Sequence, residues 1–114
     1  MPLIRIDMFR GKPAAYRTAL RDIVCETLGD AAGVPAHDRH AVVIEHEPDN
    51  LDLAPNFSKT QRNSDSILVT IMFHEGLALD QKQALGTAII QTLQQRVGLH
   101  REDIALNLFG SEGE

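Results

Sequence analysis

Leu20-Arg21-Asp22-Ile23-Val24-Cys25-Glu26-Thr27-Leu28-Gly29-Asp30-Ala31-Ala32-Gly33-Val34 decides the fold, because its pattern occurs twice in the chain. Leu20, Ile23, Val24, Leu28 and Ala32 map, at a constant offset of 65, onto Leu85, Ala88, Ile89, Leu93 and Val97. The same offset carries Gly33 to Gly98, Val34 to Leu99 and Asp38 to Asp103. In each copy the apolar residues recur at the spacing of one helix face. A glycine at the end of each supplies a left-handed stop. The first stripe also takes in Tyr16, Ala19 and Ala31, which predicts a helix over residues 14–32 with Pro13 at its first position. The second helix runs from about Asp80 to Val97.

Strands flank both helices. Met1-Pro2-Leu3-Ile4-Arg5-Ile6-Asp7-Met8-Phe9 precedes the first helix, and the β-branched run Ala41-Val42-Val43-Ile44 follows it. Ile67 to Phe73 and Ile104 to Phe109 bracket the second. Met8-Phe9 matches Met72-Phe73 at an offset of 64, so the turn after the third strand carries one extra residue. Strand, helix and strand at these lengths make a parallel, right-handed βαβ unit. The expected architecture is one α+β domain of two βαβ repeats, about 2–44 and 67–109, joined by a connector over 45–66. The four strands form a mixed sheet with two helices on one face. A ferredoxin-like sheet has the same linear order and is the alternative, with the first and third strands central and the second on an edge. Ile67 to Phe73 is apolar on nearly both sides, as in a strand covered on each face. Two helices cover one face only, so the chain is expected to be an obligate oligomer.

Composition narrows the class. The chain has 114 residues, 43% hydrophobic and 24% charged, which is ordinary for one globular domain. A formal net charge of −5 leaves no basic footprint for nucleic acid or an anionic membrane. The single cysteine, Cys25, cannot form an internal disulfide, and no apolar run reaches the ~18 residues of a membrane span. A soluble cytoplasmic protein is expected, without nucleic-acid or membrane partners.

Pro2 is a candidate for chemistry. A small second residue permits removal of the initiator methionine, which would leave a secondary amine at the terminus. Such groups titrate near ~8, and an apolar pocket lowers that value until the amine serves as a base near neutrality. The plain alternative is that Pro2 opens an edge strand, where a missing N–H costs little.

Two βαβ units with proline at position 2, and the loop Gly33-Val34-Pro35-Ala36-His37-Asp38-Arg39 continuing to His46 and Pro48, resemble the tautomerase superfamily. Within it the malonate semialdehyde decarboxylase-like branch is nearest. The resemblance implies a homotrimer acting on a small carboxylate or enol substrate, with no metal or organic cofactor. It also implies Pro2 as the catalytic acid or base and Asp38 as the aspartate beside it. A loop entering the second strand lies at the head of the first, so Asp38 and Arg39 are expected near Pro2, with Arg39 on a substrate carboxylate. Asp103, the repeat mate of Asp38, argues for a turn-stabilising role instead. Decarboxylase relatives carry two arginines after the third strand, whereas this chain reads Phe73-His74-Glu75-Gly76. His74 is therefore the candidate substrate-binding replacement. The family's aromatic residues beyond the last strand have no counterpart. Arg62 is expected at the opposite end from Pro2, within reach only of a neighbouring subunit's site.

Three readings follow. The first is keto–enol proton transfer in a 2-oxo acid or its enol. Decarboxylase- or hydratase-like chemistry is a variant within the family. A non-catalytic ligand-binding or assembly module of ferredoxin-like topology belongs to another class, beside a tautomerase fold that has lost activity. His37, His40 and His46 lack a recognisable zinc spacing, Cys25 reads as packing, and Tyr16 as part of the core stripe.

Overall fold

The computed structural model describes residues 2–53, 64–74 and 76–110. In chain order it forms β1 (Leu3–Phe9), α1 (Ala14–Ala32), β2 (His40–His46), β3 (Ile67–Met72), α2 (Leu79–Val97) and β4 (Ile104–Phe109). Short 3₁₀ turns span Ala36–Asp38, Pro48–Asn50 and Arg101–Asp103. The strand order is β2-β1-β3-β4, parallel within each repeat and antiparallel at the central β1–β3 seam.

This is the expected α+β arrangement, but not for the expected reason. A central first and third strand with the second on an edge does not separate it from a ferredoxin-like sheet. The deciding contact is the neighbour of β2, which lies directly against β1. In a split βαβ unit another strand would lie between them.

Strand alternation sorts the sheet into two faces. Ile4, Ile6 and Met8 stand opposite Ile71, Val69 and Ile67, and all six are at most 1% exposed. Leu20, Ile23, Val24 and Leu28 of α1 close over them with Leu85, Ile89 and Leu93 of α2. Each such side chain contributes roughly 1.5–3 kcal/mol relative to exposure.

Both helices end as their sequence predicts, at Gly33 (φ 69°) and Gly98 (φ 85°). Two details differ. Pro13 is extended (φ −68°, ψ 159°) and caps α1, its carbonyl accepting from the Tyr16 and Arg17 amides, instead of occupying the first helical position. Ala19 and Ala31 are exposed, whereas Cys25 and Thr27 are buried. The buried arc is thus shifted from the predicted stripe, because α1 packs against α2 as well as the sheet. Thr27 satisfies its hydroxyl by donating to the Ile23 carbonyl at 2.8 Å. Tyr16 packs against the core edge, with the Lys12 ammonium 5.2 Å from its ring centroid.

The duplication reaches the strand register. Leu3 pairs with His40 and Ile67 with Ile104, and every later pair repeats at an offset of 64 through Met8–Glu45 and Met72–Phe109. The turn before β2 ends at Asp38, one residue short of the strand, while its counterpart Arg101–Asp103 runs directly into β4. Arg39 is that additional residue and has no mate.

The other sheet face is not covered by the helices. Val42, Met72 and Phe109 remain 43%, 41% and 54% exposed on it. Near the centre Asp7 is only 4% exposed. The Arg5 guanidinium donates to it at 2.9 and 3.1 Å, and His46 Nε2 lies 2.7 Å from its Oδ1. In the connector Leu51 and Leu53 are half-buried, while Phe57 and Arg62 lie outside the described residues.

Candidate active site

The site lies where three chain segments meet at one end of the sheet. Parallel pairing brings the turn before β2 to the head of β1, and the His40 amide donates to the Pro2 carbonyl at 3.0 Å. The antiparallel seam sets Leu3 opposite Met72, so the chain leaving β3 arrives at the same end. Together they enclose a cavity of about 310 Å³ whose lining includes Pro2, Val34, Asp38, Phe73, His74 and Gln81.

Pro2, Asp38 and His74 are thus brought together. Arg39, half-buried, is absent from the lining. Met1 and Arg62 lie outside the described residues. Sequence reasoning missed Leu77 and Gln81. A signal was present for Gln81: a glutamine at the third position of a helix is a capping residue, and its Oε1 accepts from the Ala78 amide at 2.9 Å. Polar side chains in the described lining are confined to Asp38, His74 and Gln81, and it includes no lysine or arginine.

The repeat provides an internal comparison. Asp38 and Asp103 each end a 3₁₀ turn, closed by their own amides on Pro35 and His100 carbonyls at 3.0 Å. Pro2 corresponds to Ser66 at the offset of 64, and the Ser66 hydroxyl donates to Asp103 Oδ1 at 3.5 Å. Asp103 is buried at 3% exposure, whereas Asp38 is half-buried on the cavity wall. Leu77 and Gln81 correspond at 65 to Lys12 and Tyr16. There Lys12 pairs with Asp65, which holds the ammonium above its ordinary range, and burial pushes the Tyr16 phenol up. One end of the duplicated unit holds a cavity, and the other holds internally paired side chains.

A larger groove of about 480 Å³ follows α2 and the edge strand β4, but shares no described lining residue with the Pro2 cavity. Among the described residues no group of three or more His, Cys, Asp or Glu is placed to hold a metal ion. No helix among them is long and apolar enough to cross a membrane.

Two family profiles, both described as "Tautomerase enzyme", match residues 38–114 and residues 2–61. Each spans more than half of the chain. The chain belongs to the tautomerase superfamily. Among its relatives, the probable tautomerase YusQ of Bacillus subtilis (strain 168) is 21% identical over 114 residues, covering 100% of this chain and 90% of the relative. A crystal structure of malonate semialdehyde decarboxylase superposes with a TM-score of 0.85 at 27% identity, over 96% of this chain and 84% of that one. That structure is described as a basis for decarboxylase and hydratase activities. A fused 4-oxalocrotonate tautomerase, described as a symmetric trimer, shares the fold with a TM-score of 0.75 at 20% identity, over 96% and 85% of the two chains. The chain is thus a member of a family of tautomerase enzymes, with the duplicated βαβ fold of those structures.

Proposed function

We propose that this tautomerase-superfamily enzyme acts on a small oxo acid by decarboxylase- or hydratase-like chemistry, with Pro2 as the acid–base group. The observation that carries the proposal is the meeting of Pro2 and Asp38 on one cavity wall, in a chain whose whole fold follows malonate semialdehyde decarboxylase. Loss of Met1 would turn the Pro2 nitrogen from a tertiary amide into a secondary amine. Asp38 would favour its protonated form, as an opposite charge does. The prolinium would then polarise the 3-oxo oxygen of the substrate. As CO₂ leaves, the broken carbon–carbon bond's electron pair becomes an enolate, which a proton converts to the aldehyde or ketone. Hydration would use the same groups to direct water onto a conjugated double bond. His74 would face the substrate carboxylate, and Arg39 would reach it from outside the described lining.

Ketonisation of an enol is the second reading. It is favoured by the absence of arginine from the described lining, since proton transfer needs fewer anion anchors. The exposed apolar residues on the uncovered sheet face support a homotrimer, the assembly named for the fused relative.

Intact-mass measurement comes first: retention of Met1 in the native protein would remove Pro2 from the mechanism. Malonate semialdehyde and phenylenolpyruvate should then be offered to wild type and Pro2→Ala. Turnover of the first that falls about 10²–10⁴-fold in the variant is the expected result for a general acid or base. Turnover of phenylenolpyruvate alone would select the second reading, and equal rates for both proteins would overturn the role of Pro2.

A further inference from the structure

We infer that the Pro2 cavity continues into an apolar annex that takes an unbranched alkyl tail, so the substrate is an oxo acid bearing about three to five further carbons. This rests on the proposed chemistry at Pro2 and adds the substrate's shape. A second cavity of about 150 Å³ lies between the last turn of α1 and the start of α2. It shares Ala32, Leu77 and Gln81 with the Pro2 cavity, so the two adjoin across those residues. Beyond them its lining is Ala31, Ala84 and Leu85.

The chemistry of that lining selects the ligand. Three alanines leave the gap between the helix ends, and the fully packed Leu85, 2% exposed, forms its floor. Gln81 is the only polar residue in the described lining, and its carbonyl oxygen is already committed to the Ala78 amide at 2.9 Å. Among the described residues no charged side chain lines the annex, so a carboxylate or hydroxyl placed there would lose water without an ionic partner from them. Methylene groups lose nothing of that kind and gain from burial. At roughly 30 Å³ for a water-sized group, the space holds a chain of about three to five carbons. A bare three-carbon acid held at Pro2, Asp38 and His74 would leave this space to solvent.

The test uses linear 3-oxo acids of four to eight carbons, with loss of CO₂ as the rate measurement, beside linear 2-oxo acids of three to eight carbons, with exchange of the C3 protons for deuterium. For wild type, kcat/KM should rise with each added methylene and then level off, the gain staying below the roughly fourfold of a fully buried methylene because Ala31, Ala32, Gln81 and Ala84 are exposed. Ala84→Leu and, independently, Ala31→Leu should bring the ratio of long-chain to short-chain kcat/KM down to about one. Both positions are exposed on helices that tolerate leucine. Binding of butanoate to octanoate to Pro2→Ala is followed in parallel through the Ala84 and Leu85 methyl resonances. Shifts that grow with chain length support the annex even if no member of the series turns over. A flat chain-length profile, or methyl resonances that ignore chain length, would overturn it. Equal rates for wild type and Pro2→Ala in both series, with the methyl shifts intact, would instead sink the chemistry at Pro2 and leave the annex standing.

Discussion

Asp38 and Asp103 occupy the same step of the same turn, and their surroundings set them apart. Asp103 is sealed behind Ser66, while Asp38 faces the cavity that holds Pro2. Asp103→Asn is expected to cost about 1–3 kcal/mol, the range for disturbing a buried hydrogen-bonded polar group, read as a lower midpoint in urea. Asp38→Asn should lower kcat roughly a hundredfold with a smaller shift in that midpoint. The reverse pattern would make Asp38 the structural member of the pair. Asp7 allows a pH test. Burial raises its carboxyl pKa, but the bonds and charges of Arg5 and His46 outweigh burial and hold it below the ordinary 3.8. Its contribution to stability is therefore present above pH 3.8 and lost as pH falls through the lower folded value. Urea midpoints between pH 7 and pH 2 should fall more steeply for wild type than for Asp7→Asn. The positions of Asp38 and His74 were legible in the sequence, because strand direction alone brings their loops to Pro2. The absence of Arg39 from the lining was not, since it depends on where one unmatched residue points its side chain.

At the scale of elements, the two helix stops carry the most exposed backbone requirement. Gly33 and Gly98 have positive φ, and a Cβ at either would meet nothing within 4 Å. Gly33→Ala and Gly98→Ala should each cost about 1–2 kcal/mol from backbone strain alone, measurable by urea denaturation. A negligible effect at both would mean that the turns relax. These stops were readable because the left-handed requirement is local, and so were the four strands and two helices. The edge of the α1 buried face was not. Ala19 and Ala31 fit the helical period as well as Cys25 and Thr27 do, and only contact with α2 decides between them. The strand partners of β2 were similarly beyond linear order, because both candidate sheets share it.

At the scale of the whole molecule, the helices protect one sheet face and leave Val42, Met72 and Phe109 exposed on the other. If that face is the proposed trimer interface, Met72→Asp with Phe109→Asp should shift sedimentation from trimer toward monomer. An unchanged coefficient would place the interface elsewhere. The pairing of Ser66 with Asp103 also bears on reagent stoichiometry. Two halves built alike invite the expectation of two reactive centres, yet the second half has a serine hydroxyl where the first has Pro2. With Met1 removed, as the proposed mechanism requires, an electrophile selective for a secondary amine should saturate at one equivalent per chain, by mass spectrometry, however many chains assemble.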